Sequence, residues 1–257
     1  MGIVKELTIE EKVRNYFDSQ GYVYYNLEQS RVLLEQNPNS ERTFQMLESG
    51  GDFKTLEDIR SHYNLIAPTH YLITAPLRPL KEKLLSFLYN VVNEHNPDVV
   101  VDAGCGVGLQ VCFLARAFPE RRFIGYDLSY GMIVEAEKRR QRLGLENVEL
   151  WIAPHEKFNP QTRPNFIYTQ ESLSQFNFGS IEEAKQVNVA LGNFSNLLPR
   201  GGLYALLFTD YLSDDARHFI RNFTHEFGFE KFMDHSEGVE IESEILYPTM
   251  LLYQKVN

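Results

Sequence analysis

The sequence predicts an α/β fold: a doubly wound, mostly parallel, seven-stranded sheet of Rossmann-like type, carrying an N-terminal helical cap. Three observations lead there. The apolar run Val99-Val100-Val101 passes through Asp102 and Ala103 into Gly104-Cys105-Gly106-Val107-Gly108, and Leu109 to Phe118 is then apolar at helical spacing. Arg122-Phe123-Ile124-Gly125-Tyr126-Asp127 repeats the strand pattern and ends in an acid about twenty residues after the turn, where doubly wound folds place a ribose-binding carboxylate. From residue 98 onward, strand and helix patterns alternate, which implies crossover connections and a parallel sheet covered on both faces.

Taken in chain order, Thr8-Ile9-Glu10-Glu11 and Thr55-Leu56-Glu57-Asp58 read as helix starts. In each, a hydroxyl accepts an amide hydrogen and the acid three places on favours the helix dipole. A helix is predicted from Leu77 to Glu94, with Leu80, Leu84, Leu88, Val91 and Val92 forming one apolar stripe. Asn96-Pro97-Asp98 then divides the chain into residues 1–97, expected to form the cap and the substrate-pocket region, and residues 98–257, expected to form the core. Strands are predicted near 99–103, 122–127, 148–152, 165–169 and 202–208, with closing strands near 229–234 and 246–255; helices are predicted near 109–118, 131–143, 180–197 and 214–226.

Bulk properties narrow the function. At 257 residues and 43% hydrophobic content the chain can bury a large core. Its formal charge of −10 disfavours a duplex-binding surface, which needs a basic face to release counterions, so no nucleic-acid partner is expected. The run Lys138-Arg139-Arg140 is assigned to an exposed helix face. Residues 1–15 lack a signal-peptide core and no window reads as a membrane span, so no membrane partner is expected. The only cysteines, Cys105 and Cys112, form no disulfide framework, which points to a reducing, cytoplasmic setting. His62 and His70, and likewise His218 and His225, lack the close spacing of metal ligands, and Asp214-Asp215 reads as a helix start, so no metal is expected. A monomer or homodimer is expected.

The glycine turn is the chemical centre. Its glycines remove the Cβ atoms that would keep a ribose or amino-acid group away. The pattern is Gly-x-Gly-x-Gly, with Leu109 standing where a pyrophosphate-binding turn has its third glycine, so a cofactor without pyrophosphate is favoured.

These residues resemble the class I S-adenosylmethionine-dependent methyltransferases, whose first motif reads like Val-Val-Asp-Ala-Gly-Cys-Gly-x-Gly and whose second strand ends in an acid. The resemblance extends from Asp98 to about Asn257, through Asn165-Phe166-Ile167-Tyr168-Thr169-Gln170-Glu171-Ser172 as fourth strand and loop, and Leu197-Leu198-Pro199-Arg200-Gly201-Gly202 as the turn before the fifth. It implies S-adenosyl-L-methionine as cofactor and S-adenosyl-L-homocysteine as product. It further implies that Gly104, Cys105, Gly106 and Gly108 line the donor's amino-acid and ribose parts. Asp127 would accept from the ribose, Asp102 would order the turn or the ammonium, and Leu128 and Met132 would flank the adenine. Gln170 completes this set. The family's common acid after the third strand is missing, and backbone groups, or Glu156 and His155, are expected to replace it. Within His62-Tyr63-Asn64-Leu65-Ile66-Ala67-Pro68-Thr69-His70-Tyr71, which looks like a segment preceding the core in small-molecule members, Tyr63 is carried over as an aromatic contact for the sulfonium, while Asn64 replaces the usual acid.

The loop Gln170-Glu171-Ser172-Leu173-Ser174-Gln175-Phe176 resembles that of enzymes methylating small amines, sterols or quinones, with Gln175 near the place of a common histidine base. A base, where one is needed, falls to Glu171, His70 or His155. Tyr71, Tyr130, Gln175, Phe176, Phe178 and Tyr211 are expected around the substrate. The implied activity is in-line methyl transfer to oxygen, nitrogen or carbon of a small, partly apolar or aromatic metabolite. The alternatives are a peptide or protein acceptor, or a non-methylating reaction such as a cyclisation.

Overall fold

The computed structural model describes residues 6–36, 55–173, 181–209, 224–235, 239–241, 244–246 and 248–256. The predicted helix near 214–226 lies largely outside them. Nine strands are described: β1 (Val99–Ala103), β2 (Arg122–Asp127), β3 (Val148–Ile152), β4 (Phe166–Gln170), β5 (Leu203–Phe208), β6 (Phe229–His235), β7 (Val239–Ile241), β8 (Glu244–Leu246) and β9 (Thr249–Lys255). Seven of them form one sheet in the order β3-β2-β1-β4-β5-β9-β6, with β9 alone running antiparallel to its neighbours. The chain leaves β1 towards β2 and β3, then returns to β4 on the other side, so the order reverses between β1 and β4. In open α/β sheets that crevice is where ligands bind.

The helices are α1 (Ile9–Ser19), α2 (Leu27–Glu35), α3 (Leu56–Ile66), α4 (His70–Thr74), α5 (Arg78–His95), α6 (Leu109–Ala117), α7 (Tyr130–Arg142) and α8 (Ile181–Leu197). Both predicted helix starts are capping boxes: Thr8 pairs reciprocally with Glu11, and Thr55 with Asp58. A third box, Asn26 with Gln29, opens α2. The apolar stripe of α5 is buried throughout, and Asn96, left-handed at φ 54°, ends that helix.

Every residue of β1 is buried, because alternate side chains enter two different cores. Val100 joins residues of α1, α5 and α6, including Phe17, Leu84 and Val111. Val99, Val101 and Ala103 join Leu191 and Phe194 of α8 on the opposite face. Helices α1 and α5 belong to the core itself, and the Tyr16 hydroxyl donates to the Leu109 carbonyl at 2.9 Å. Among the described residues, α3, α4 and the turns beside them lie over the sheet ends as a cap, meeting the core where Ile66 and Ala67 pack on Val107 and Met132.

Two further expectations differ. The last predicted strand, 246–255, is divided into β8 and β9, with β8 pairing β7 in a separate two-stranded sheet. Pro248, which has no amide hydrogen to donate, stands immediately before β9. Within the run Lys138-Arg139-Arg140, Arg139 is buried: its guanidinium donates to the Val107 carbonyl and to Gln20, and lies over the Tyr22 ring. A run of charges does not show which member turns inward.

Gly108, expected among the donor contacts, lies where two helices pack closely. It precedes α6 at φ +71°, and a Cβ there would lie 2.8 Å from the Cβ of Ala136 on α7. Backbone strain and overpacking both oppose a side chain at this point. Gly108→Ala is expected to destabilise the fold by roughly 2–4 kcal/mol, read by calorimetry as a fall of about 5–15 °C in melting temperature.

Candidate active site

At the carboxyl ends of β1 to β5 lies a cavity of about 730 Å³, walled by the strand ends below and by the cap above. Its floor is fixed by a carboxylate clasp. Asp127, the last residue of β2, accepts from the Gly106 amide at 2.9 Å and from the Ser129 amide at 2.8 Å, so one side chain holds both the glycine turn and the start of α7. The amides of Gly104 and Cys105 donate to the Tyr126 carbonyl at 2.8 and 2.9 Å, completing the attachment of the turn to β2.

The glycines of the turn have separate tasks. A Cβ on Gly104 would strike Ser172, whose hydroxyl donates to the Ala103 carbonyl and ties the loop after β4 to β1. At Gly106, φ +52°, a Cβ would meet nothing within 4 Å, because this residue faces the open cavity. Cys105 packs its sulfur against Gly125, and burial raises the pKa of both cysteine thiols, that of Cys112 to about 12, which keeps them protonated.

Asp102 also lines the cavity and is only 2% exposed. Its Oδ2 has no hydrogen-bond partner among the described residues; Tyr168, its neighbour across the β1–β4 pairing, approaches the carboxyl without hydrogen-bond geometry. Burial pushes the Asp102 carboxyl up to about 7. A buried carboxylate with an unmet oxygen is a site for a cationic donor.

Of the other expected donor contacts, Tyr63, Leu128, Met132, Glu156 and Gln170 line the cavity, Gln170 accepting from Gln110 at 2.9 Å. Asn64 substitutes for the family's acid without a charge: its Oδ1 accepts from the Ser129 hydroxyl and from the Gly131 amide, both at 2.8 Å, and so caps α7 from the roof. Gly131 permits this, since a Cβ there would come within 2.9 Å of the Asn64 carbonyl oxygen.

The three proposed bases reach the cavity with unequal chemistry. His155 is half-buried, its Nδ1 paired with the Tyr126 hydroxyl at 2.8 Å, and burial lowers its pKa to about 4. His70 is lowered to about 3, by burial first and then by the charges of Lys81 and Arg139. Both rings are therefore neutral and weakly basic near pH 7. Glu171 sits in the loop after β4 with φ 58°, an uncommon conformation for a side-chain-bearing residue, and its Oε1 accepts from the Thr209 amide. That bond fixes the carboxylate on the cavity wall.

Two expected substrate contacts lie elsewhere. Tyr71 is 39% exposed and packs edge-on against Tyr22; Tyr130, first residue of α7, is 63% exposed; neither lines the cavity. Helical phase turns both outward, which topology alone did not reveal. Gln175, Phe176, Phe178 and Tyr211 lie outside the described residues. Sequence reasoning missed Lys81, Gln110 and Thr209, all on the cavity wall. Among the described residues, no group of three His, Cys, Asp or Glu side chains is placed to hold a metal ion, and no helix is long and apolar enough to cross a membrane.

Part of the chain matches a known domain family. Residues 100–202 match the methyltransferase domain family. A tRNA (guanine-N(7)-)-methyltransferase of Rubrobacter xylanophilus is 35% identical over 65 residues, 25% of this chain and 29% of that protein. A trans-aconitate 2-methyltransferase of Methylobacterium nodulans is 26% identical over 137 residues, 51% of this chain and 45% of that protein. The chain thus spans less than half the length of either relative. In fold it is similar to magnesium protoporphyrin IX methyltransferase from Synechocystis PCC 6803 with bound S-adenosylmethionine, at TM-score 0.58 and 16% identity over 97% of this chain and 98% of that one. Over residues 100–202, which hold the glycine turn, the chain matches the methyltransferase domain, and its fold is similar to that of S-adenosylmethionine-dependent methyltransferases of known structure.

Proposed function

We propose that this chain transfers a methyl group from S-adenosylmethionine to oxygen, nitrogen or carbon of a small, partly apolar acceptor held under the cap. The observation that carries the reading is that donor-type and acceptor-type surfaces share one cavity. Its volume falls within the range of about 300–1,000 Å³ usual for small-ligand sites. At the strand ends it presents Asp102, Gly106 and Asp127; under the cap it presents Leu56, Ile59, Ile66, Ile73 and Leu77. The aconitate named for one relative is likewise a small molecule.

When bound, the donor supplies a methyl group already activated by a sulfonium. The residues then have to bind, orient and exclude water. Asp127 keeps lone pairs beyond those given to Gly106 and Ser129, and these suit a ribose diol. Asp102 offers its unmet oxygen to an ammonium, and Leu128 and Met132 offer apolar contact to a purine. Tyr63 presents a ring towards the shared space, suited to a cationic centre. For an acceptor that must lose a proton, Glu171 is the residue to receive it, since His70 and His155 have lost basicity to burial.

Three outcomes test this. Isothermal titration should show S-adenosylhomocysteine bound by the parent chain, and Asp127→Asn should weaken it by about 10- to 100-fold, the worth of one or two hydrogen bonds to a charged group; a parent that binds neither donor nor product ends the reading. Incubation of candidate metabolites with the donor should yield a product heavier by one methyl in the mass spectrum, whereas a rearranged product of unchanged mass would favour the cyclisation. With an acceptor so identified that needs deprotonation, Glu171→Gln, which still accepts from Thr209, should lower kcat by roughly 100-fold or more with the affinity for S-adenosylhomocysteine retained.

Asp102 gives a pH signature. Its carboxyl has an ordinary value of 3.8 and stands at about 7 in the fold, so the stability it permits is complete below the lower value and is lost as pH rises towards the upper one. Asp102→Asn removes the buried charge. Without ligand, the melting temperature of the variant relative to the parent should climb from pH 5 to about pH 7 and level off above it, and a constant difference from pH 5 to pH 7 would refute the assignment.

A further inference from the structure

Lys81 lies in the first turn of α5, is only 7% exposed, and lines the cavity on the cap side. Among the described residues its ammonium makes no hydrogen bond and no ion pair, although burial of an unpaired ammonium is costly. Burial and the nearby Arg139 lower its pKa to about 8, against the pull of Glu171. Such a cation is retained at a cost to folding, and a partner that arrives with the ligand offsets that cost.

We infer that Lys81 is the seat for a carboxylate on the methyl acceptor, so that the preferred acceptors are monocarboxylic acids with an apolar body. The inference rests on the methyl-transfer reading and adds the class of acceptor to it. Local charge favours one further negative charge. Lys81 and the buried Arg139, which stands behind the Tyr22 ring, supply two positive charges; Glu171 supplies one negative; His62 and His70 are both depressed towards the neutral form. One carboxylate balances this set. A phosphate, with nearly two charges and three acceptor oxygens, would ask for donors that are already committed, because Arg139 is engaged by Val107 and Gln20. The body of the acid is provided for by Ile59, Ile73 and Leu77, which line the same cavity. Lys81 has no part assigned towards the donor and acts in binding, whichever atom of the acceptor receives the methyl.

The experiment uses the full chain saturated with S-adenosylhomocysteine, titrated calorimetrically with octanoate, octanamide and octyl phosphate. Octanoate is expected to bind at least tenfold more tightly than octanamide and more tightly than octyl phosphate. Lys81→Met should remove the preference over the amide while keeping the affinity for S-adenosylhomocysteine, and Lys81→Arg, which keeps the charge, should preserve it. Octanamide binding as well as octanoate, octanoate failing to bind, octyl phosphate binding more tightly, or a preference that survives Lys81→Met would each overturn the inference. Should S-adenosylhomocysteine itself not bind, the donor reading fails separately, and the same three titrations into the unliganded chain still decide the carboxylate seat.

Discussion

The rest of the site depends on one side chain, Asp127, at the carboxyl end of the second strand. Its two oxygens are shared between the turn that follows β1 and the residue that caps α7. A peptide turn with several left-handed residues has little stability of its own. Here the attachment to a rigid strand end supplies what the turn lacks, through a charge-assisted bond to Gly106 and two further bonds from Gly104 and Cys105 to Tyr126. The open face of Gly106 is thereby held at a fixed height above the sheet, and α7 begins at a fixed place beside it.

The polar groups of the cavity divide by how their needs are met. Asp127, Glu171 and Gln170 are partnered within the protein and so act as fixed walls. Asp102 and Lys81 keep polar capacity that no described residue satisfies. One is an acid beside the glycine turn and the other a base under the cap, so the two ends of the cavity call for opposite charges. Evolution seldom leaves buried charge unmet without a binding partner to meet it.

Much of this was legible in the sequence. Each strand of the parallel half was readable from an apolar run bounded by turn residues, and the acids near the end of β1 and at the end of β2 stood where the glycine pattern required them. Thr8 and Thr55 announced their helices because a capping box is a local interaction needing no tertiary information. Other features depend on which way a helix is rotated. Lys81 reads as an ordinary polar flank beside Leu80 and Leu84, yet it points into the cavity; Arg139 reads as a surface charge, yet it is buried; Tyr71 and Tyr130 read as pocket residues, yet they face outward. Gly108 matched a motif but serves helix packing, a distinction visible only once Ala136 is known to lie against it. Residues of α1 and α5, which precede the turn at 96–98, pack in the same cluster as the sheet, a contact that the sequence pattern does not show.

Asn64 carries a consequence for how the two ligands sense each other. Its amide oxygen bridges the roof to the first turn of α7, while its neighbour Tyr63 forms part of the ceiling and Met132, one turn into α7, forms part of the floor. Any tightening of the ceiling around one guest is felt by the helix that supports the other. Thermodynamic reciprocity then requires each guest to alter its companion's dissociation constant by an identical factor, so a single uncharged amide would link the two affinities whichever molecule arrives first.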